Sequence, residues 1–181
     1  MTSPWPPGFG STSSGEGVQA GSFYKVTLAI KRALKEKIQD ATDSTVRIMS
    51  NAMGAGTHLP SDYRSFIISP STSITYDQSA FAGGGAVQVT ARCAVVVTAK
   101  VPGSLDDVDE IENWFKRQEQ TRVELMSALC GLHLYDEDGI LITNEVLFPR
   151  EAAWNKDKTM GDVMVAFDIE FDELITTPDS E

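Results

Sequence analysis

Three carboxylates recur at every second position near the end of the chain, Asp168, Glu170 and Asp172, within the stretch VMVAFDIEFDEL. Side chains of an extended chain alternate between two faces, so these three share one face. Val163, Val165, Phe167, Ile169 and Phe171 share the other. A row of carboxylates can bind a hard cation, do acid–base chemistry, sit in water, or form a negative surface with a purpose. Neighbours along one strand face stand about 6.5–7 Å apart, so two of them chelate one cation only by leaning together.

The other reactive residue types add no partner for them. His58 and His133 are the only histidines, and no Cys/His cluster has zinc spacing. No serine sits in a nucleophile elbow. YDEDG puts acids at calcium-loop positions if Leu134 takes the first place, but that place needs an acid, and ILITNEV reads as a strand. MGAGTHLP and AGGGA are glycine-containing, yet neither opens a helix in a strand–turn–helix unit, which argues against phosphate cradling. Cys93 and Cys130 make no disulfide framework and read as buried reduced thiols. The expectation is no catalytic, cofactor-binding or metal-binding residue, and no cofactor.

Charge gives the carboxylates a context. The net charge is −11. Residues 136–181 hold 13 acidic and 3 basic side chains, a net of −10, which leaves −1 for the preceding 135 residues. A generic nucleic-acid binder has the opposite sign, because neutralising phosphates drives its binding. Apolar residues make up 41% and charged residues 23%, the proportions of an ordinary globular protein. CAVVVTA, the longest apolar run, is too short to span a bilayer, and the N-terminus carries neither the basic nor the apolar region of a secretory signal.

Residues 1–21 are Gly, Pro, Ser or Thr at 14 of 21 positions, too polar to offset the entropy of ordering, and are expected to form a flexible arm. Trp5 and Phe9 are its only large apolar side chains, and Trp5 is the candidate anchor on a neighbouring subunit. Residues 22–175 are expected to form one α+β domain, and residues 176–181 a short acidic tail. Ser22 can cap a helix running to about Asp40, with Phe23, Val26, Ile30, Leu34 and Ile38 as its apolar stripe. Tyr24 and Leu28 lie at the edge of that stripe and are candidate subunit contacts. Short strands are expected at 45–50 and 63–69, and a turn-rich segment with a hairpin or long flexible loop at 69–86.

VQVTARCAVVVTAKV is the clearest strand, with Val89, Cys93, Val95 and Val97 on one face and Gln88, Thr90 and Arg92 on the other. A second helix follows, capped by Ser104, with Val108, Ile111, Trp114, Phe115, Leu125, Met126 and Leu129 as apolar contacts. Its middle, KRQEQTR, is polar on every face, so a break or a stretch standing clear of the sheet is expected there. Asp138-Gly139 marks a tight turn. PREAAWNKDKTMGD reads as a loop. The architecture expected is a mostly antiparallel sheet with two main helices packed on one face.

The starting helix FYKVTLAIKRALKEKIQDA, the long strand VQVTARCAVVVTAKV feeding a second helix, and the ending MGDVMVAFDIEFDEL resemble, over about residues 22–174, the tail terminator proteins of tailed bacteriophages. The arm and the long segment 69–86 depart from compact members of that family. The resemblance implies a structural virion protein without enzyme activity or cofactor: a homo-hexameric ring at the tail–neck junction, assembled in the host cytoplasm. It implies contacts with tail tube and neck or connector proteins, transient non-specific passage of DNA, and no membrane. Asp168, Glu170 and Asp172 would then line the lumen and repel phosphates, or face a basic neighbour. Two other readings fit the same residues: a different tail or head–tail connector subunit (tube or adaptor), and a small-ligand-binding or metal-dependent enzyme domain.

Overall fold

The computed structural model describes residues 22–49, 64–77, 86–100, 108–156 and 160–174. Their elements run, in chain order, α1 (Ser22–Lys37), β1 (Val46–Ile48), β2 (Ser65–Asp77), β3 (Ala86–Lys100), α2 (Val108–Leu129), β4 (Phe148–Lys156) and β5 (Met160–Leu174). The strands form one five-stranded sheet in the order β1-β2-β3-β5-β4. Only the β1–β2 pairing is parallel; the other three are antiparallel. The fold is α+β, as the element pattern predicts.

Alternation builds the core. Val89, Ala91, Cys93, Val95 and Val97 of β3 and Val165, Phe167, Ile169 and Phe171 of β5 all point to the helices. They pack against Val26, Ile30 and Leu34 of α1 and Leu125 and Leu129 of α2. The rings of Phe23 and Phe171 stack with centroids 5.7 Å apart, which ties the first turn of α1 to β5. Arg64, just before β2, joins the turn that follows α1 to α2. Its guanidinium donates to both oxygens of Asp40 (2.8 and 2.6 Å), to Glu124 (2.6 Å) and to Thr121 (3.1 Å). Burial works against its charge, but those carboxylates outweigh burial and raise its pKa.

Several expectations are corrected. Of the two alternatives for 69–86 the hairpin holds and the long loop does not: β2 continues through residues 70–77, with an irregularity between Pro70 and Ile74, and pairs antiparallel with β3. A proline without an N–H is tolerated where the ladder is already interrupted. The helix does not break at KRQEQTR. α2 is continuous, and its buried stripe runs Trp114, Gln118, Thr121, Leu125. Two polar residues carry the helical period through the stretch that looked polar all round. Val108 (74% exposed) and Phe115 (56%) fall beside that stripe, not in it, and Ile111 is also exposed. ILITNEV is not a strand; a single bridge joins Tyr135 to Leu141 around the turn at Gly139, whose φ is 77°. PREAAWNKDKTMGD is not a loop: it supplies most of the edge strand β4 and the start of β5. Ser104 lies outside the described residues.

Gly161 shows how α2 meets the sheet. A Cβ on this residue would come within 2.5 Å of the Trp114 ring, so the bare backbone leaves the room the indole fills.

Candidate interaction face

The second face of the sheet carries the polar positions of β3 and β5. Register brings Arg92 opposite Asp168, Thr90 opposite Glu170, and Gln88 opposite Asp172. On the other side of β5, Phe148 of β4 stands opposite Asp168. β4 is irregular between Pro149 and Glu151, and Arg150 occupies that irregularity. An extra residue in a strand re-aims a side chain, and here it brings Arg150 to the face that holds Asp168.

Each carboxylate of the row has its own partner. Asp168 accepts from Arg92 Nε at 3.1 Å through one oxygen and from Arg150 Nε at 2.8 Å through the other. Glu151 adds a longer ion pair to Arg92, 3.8 Å. Glu170 accepts from the amide of Gln88 at 3.2 Å. Asp172 accepts from the amide of Asn144 at 3.0 Å. The backbone N–H of Asn144 also donates to the carbonyl of Glu170 at 2.8 Å, which holds the preceding loop along the end of β5. Glu173, which has the other strand parity and is not part of the row, receives the Tyr76 hydroxyl at 3.3 Å. The row is a mixed-charge surface in which one carboxylate is bracketed by two guanidiniums.

Beside it lies a cleft of about 500 Å³ whose walls include Thr90, Glu145, Phe148, Arg150, Asp168 and Glu170. Phe148 is 69% exposed there, and Val146 is exposed beside it. Apolar side chains rimmed by paired charges suit contact with another macromolecule. Among the described residues, no three His, Cys, Asp or Glu side chains converge as a metal cage requires. Cys93 lies in the core, where burial pushes its thiol up to about 12, so it is no nucleophile at neutral pH. His133 is exposed after α2, well removed in environment from that thiol.

The remaining candidates fall elsewhere. Trp5 lies outside the described residues. Tyr24 is exposed on the first turn of α1. Leu28 is half-buried and lines a small cavity between α1 and the turn at residues 136–138. Three lysines of α1 are paired with carboxylates. Lys31 and Lys35 both pair with Asp43, at 3.5 and 2.8 Å, and Lys25 approaches Asp136 at 3.9 Å. Lys35, and less strongly Lys31, hold Asp43 below the usual carboxylate range.

Sequence reasoning missed Arg150, Asn144 and the part played by Arg92. The alternation of β3 put Arg92 on the polar face, which is half of the signal. Its pairing with Asp168 depends on strand register, which neither strand encodes alone.

No family model matches the chain, and no curated protein matches it. Among solved structures, a chain of the virion of a native gene transfer agent particle matches with a TM-score of 0.54 at 12% identity, covering 83% of this chain and 97% of that one. A second solved chain covers 83% of this chain and 96% of its own at 14% identity, with a TM-score of 0.41. The first likeness establishes a shared fold. No helix among the described residues is long and apolar enough to cross a membrane.

Proposed function

We propose that this protein is a structural component of a phage-like virion: a tail terminator subunit that closes into a hexameric ring between the tail tube and the neck or connector. The observation that carries this reading is the fold shared with a chain of a gene transfer agent virion over 83% of this chain and nearly all of the other. The order of elements that resembles tail terminators supports the finer assignment. In this reading the protein is not an enzyme, needs no cofactor, and acts in the virion after assembly in the host cytoplasm.

The second sheet face, with Asp168, Glu170 and Asp172, is the proposed lumen or subunit interface. Passing DNA meets an excess of carboxylates there, and Arg92 and Arg150 are held by Asp168. A wall with few unpaired cations gives phosphates little to grip. Tyr24, Leu28 and Trp5 are the proposed subunit contacts.

Native mass measurement and electron microscopy of the purified chain test the reading. Closed rings of uniform copy number are expected. A monomer at every accessible concentration would overturn it. Reversing Asp168, Glu170 and Asp172 to lysine should block ring formation or yield rings that retain DNA. Rings that assemble normally and still pass DNA would reduce this face to a solvated surface.

A further inference from the structure

Residues 135–141 form a tightly determined turn against the outer side of α1. One oxygen of Asp136 accepts the backbone N–H groups of Asp138 (3.0 Å) and Ile140 (2.9 Å). The N–H of Asp136 donates to the carbonyl of Ile140 at 2.8 Å. Arg32 donates to the carbonyl of Asp136 at 3.1 Å, and Lys25 approaches its carboxylate. The Asp136 side chain is only 10% exposed. A cavity of about 160 Å³ remains between this turn and the helix, lined by Lys25, Leu28, Arg32, Asp136, Glu137 and Asp138. At about 30 Å³ for each water in the liquid, it has room for an aromatic ring.

Its chemistry is specific. Leu28 offers an apolar surface, Lys25 and Arg32 offer cations to a ring face, and Glu137 and Asp138 offer acceptors to a ring N–H. Tryptophan answers all three: it has the most favourable ring for a cation, a large apolar area, and one donor and no acceptor. The chain has three tryptophans. Trp114 is buried between α2 and the sheet, and Trp154, though 45% exposed, is held within the edge strand β4 with no tether to extend it. The third, Trp5, belongs to the 21 residues that precede α1, and α1 is the helix that forms one wall of this cavity.

We propose that the cavity is the seat of Trp5 from the N-terminal segment of a neighbouring copy. Trp5 precedes Ser22 by 17 residues, which span up to about 55–60 Å when extended. A domain of this size has a radius of gyration of about 15 Å, so the segment can leave its own subunit and reach the cavity of the next. The inference rests on the ring reading above and gives it a strap: each copy anchors the following one through a residue in an otherwise Gly, Pro and Ser-rich tether.

Cross-linking tests it in the full-length chain. In a Cys130→Ser background, Pro6→Cys, which leaves Trp5 in place, and Glu137→Cys are combined and oxidised. A ladder of interchain-linked species that needs both new cysteines is expected. No link beyond the single-cysteine controls, or an intrachain link alone, would overturn the proposal. Trp5→Ala and Leu28→Glu should each raise the subunit concentration needed for half-assembly at least tenfold, and the double variant should be no worse than either. Additive losses would show that the two residues act in separate contacts. A chain that never assembles defeats the ring reading and this proposal together. Rings that form without the cross-link defeat the proposal alone.

Discussion

The two faces of β5 are built from alternate residues of one strand, yet they are held by different forces. Toward the helices, Val163, Val165, Phe167 and Ile169 are at most 2% exposed. Toward the opposite side, Asp168 keeps 28% of its side chain exposed, and its two arginines keep 54% and 65%. The first face is held by apolar burial, which is non-directional and accumulates with area. The second is mixed: Ala166 is buried on it, but around Asp168 it is held by charge pairs with water beside them, each worth little. The difference teaches that around Asp168 the sheet face opposite the helices is free for contacts that the core face cannot make. The helix face tolerates few changes. The other face can change partners at low cost.

The largest expected break of this contrast is on the helix face. Phe167→Ala should cost about 3–5 kcal/mol in denaturant unfolding, the transfer loss plus the cavity left behind. A loss below about 1 kcal/mol would mean that this face is not the core.

Gly161→Ala should cost about 1–3 kcal/mol, because the new methyl collides with the Trp114 ring. Trp114→Leu should absorb part of that cost, which a double-mutant cycle reads directly. Additivity of the two changes would show that the close approach is not what excludes a side chain there.

Cys93 sharpens the contrast through pH. Its folded pKa of about 12 lies above the ordinary 9.0, so the unfolded chain releases the thiol proton first. Stability from this source is full below pH 9 and falls as pH rises toward 12, by at most about 1.4 kcal/mol per pH unit. Cys93→Ala should flatten that part of the stability–pH curve. An unchanged slope would show that the thiol is not the group responsible.

On the opposite face, Asp168→Asn should change monomer stability by less than about 1 kcal/mol, with a difference that shrinks as salt is raised. A loss as large as that of Phe167→Ala would erase the distinction between the faces. The smallest effect belongs to the fully exposed Asp43. Its pKa is lowered by Lys35 and Lys31, so its contribution is present above about pH 4 and is lost as pH falls through the folded value. Asp43→Asn should differ from the parent only slightly near neutrality and should not differ in strong acid, as acid titration followed by circular dichroism would read.

Patterns repeating within one element were legible in the sequence. The alternation of β3 and β5 assigned the residues of both faces, and the 3.6-residue stripe of α1 assigned Val26, Ile30 and Leu34 to the core. These follow from backbone geometry, which acts over a few residues. α2 was harder to read because Gln118 and Thr121 fill buried positions in the run KRQEQTR, and a buried polar residue looks like a surface residue in a sequence. β4 was hidden for a related reason. An edge strand with Phe148 and Trp154 exposed and an irregularity at Arg150 has little alternation to detect. Asp168, Glu170 and Asp172 were placed on one face by sequence alone. That Asp168 lies between Arg92 and Arg150, 76 residues before it and 18 before it in the chain, was decided by the tertiary structure. Side-chain direction is a property of one strand, whereas a partner across the sheet is fixed by register, which arises only when distant strands pair over a common core.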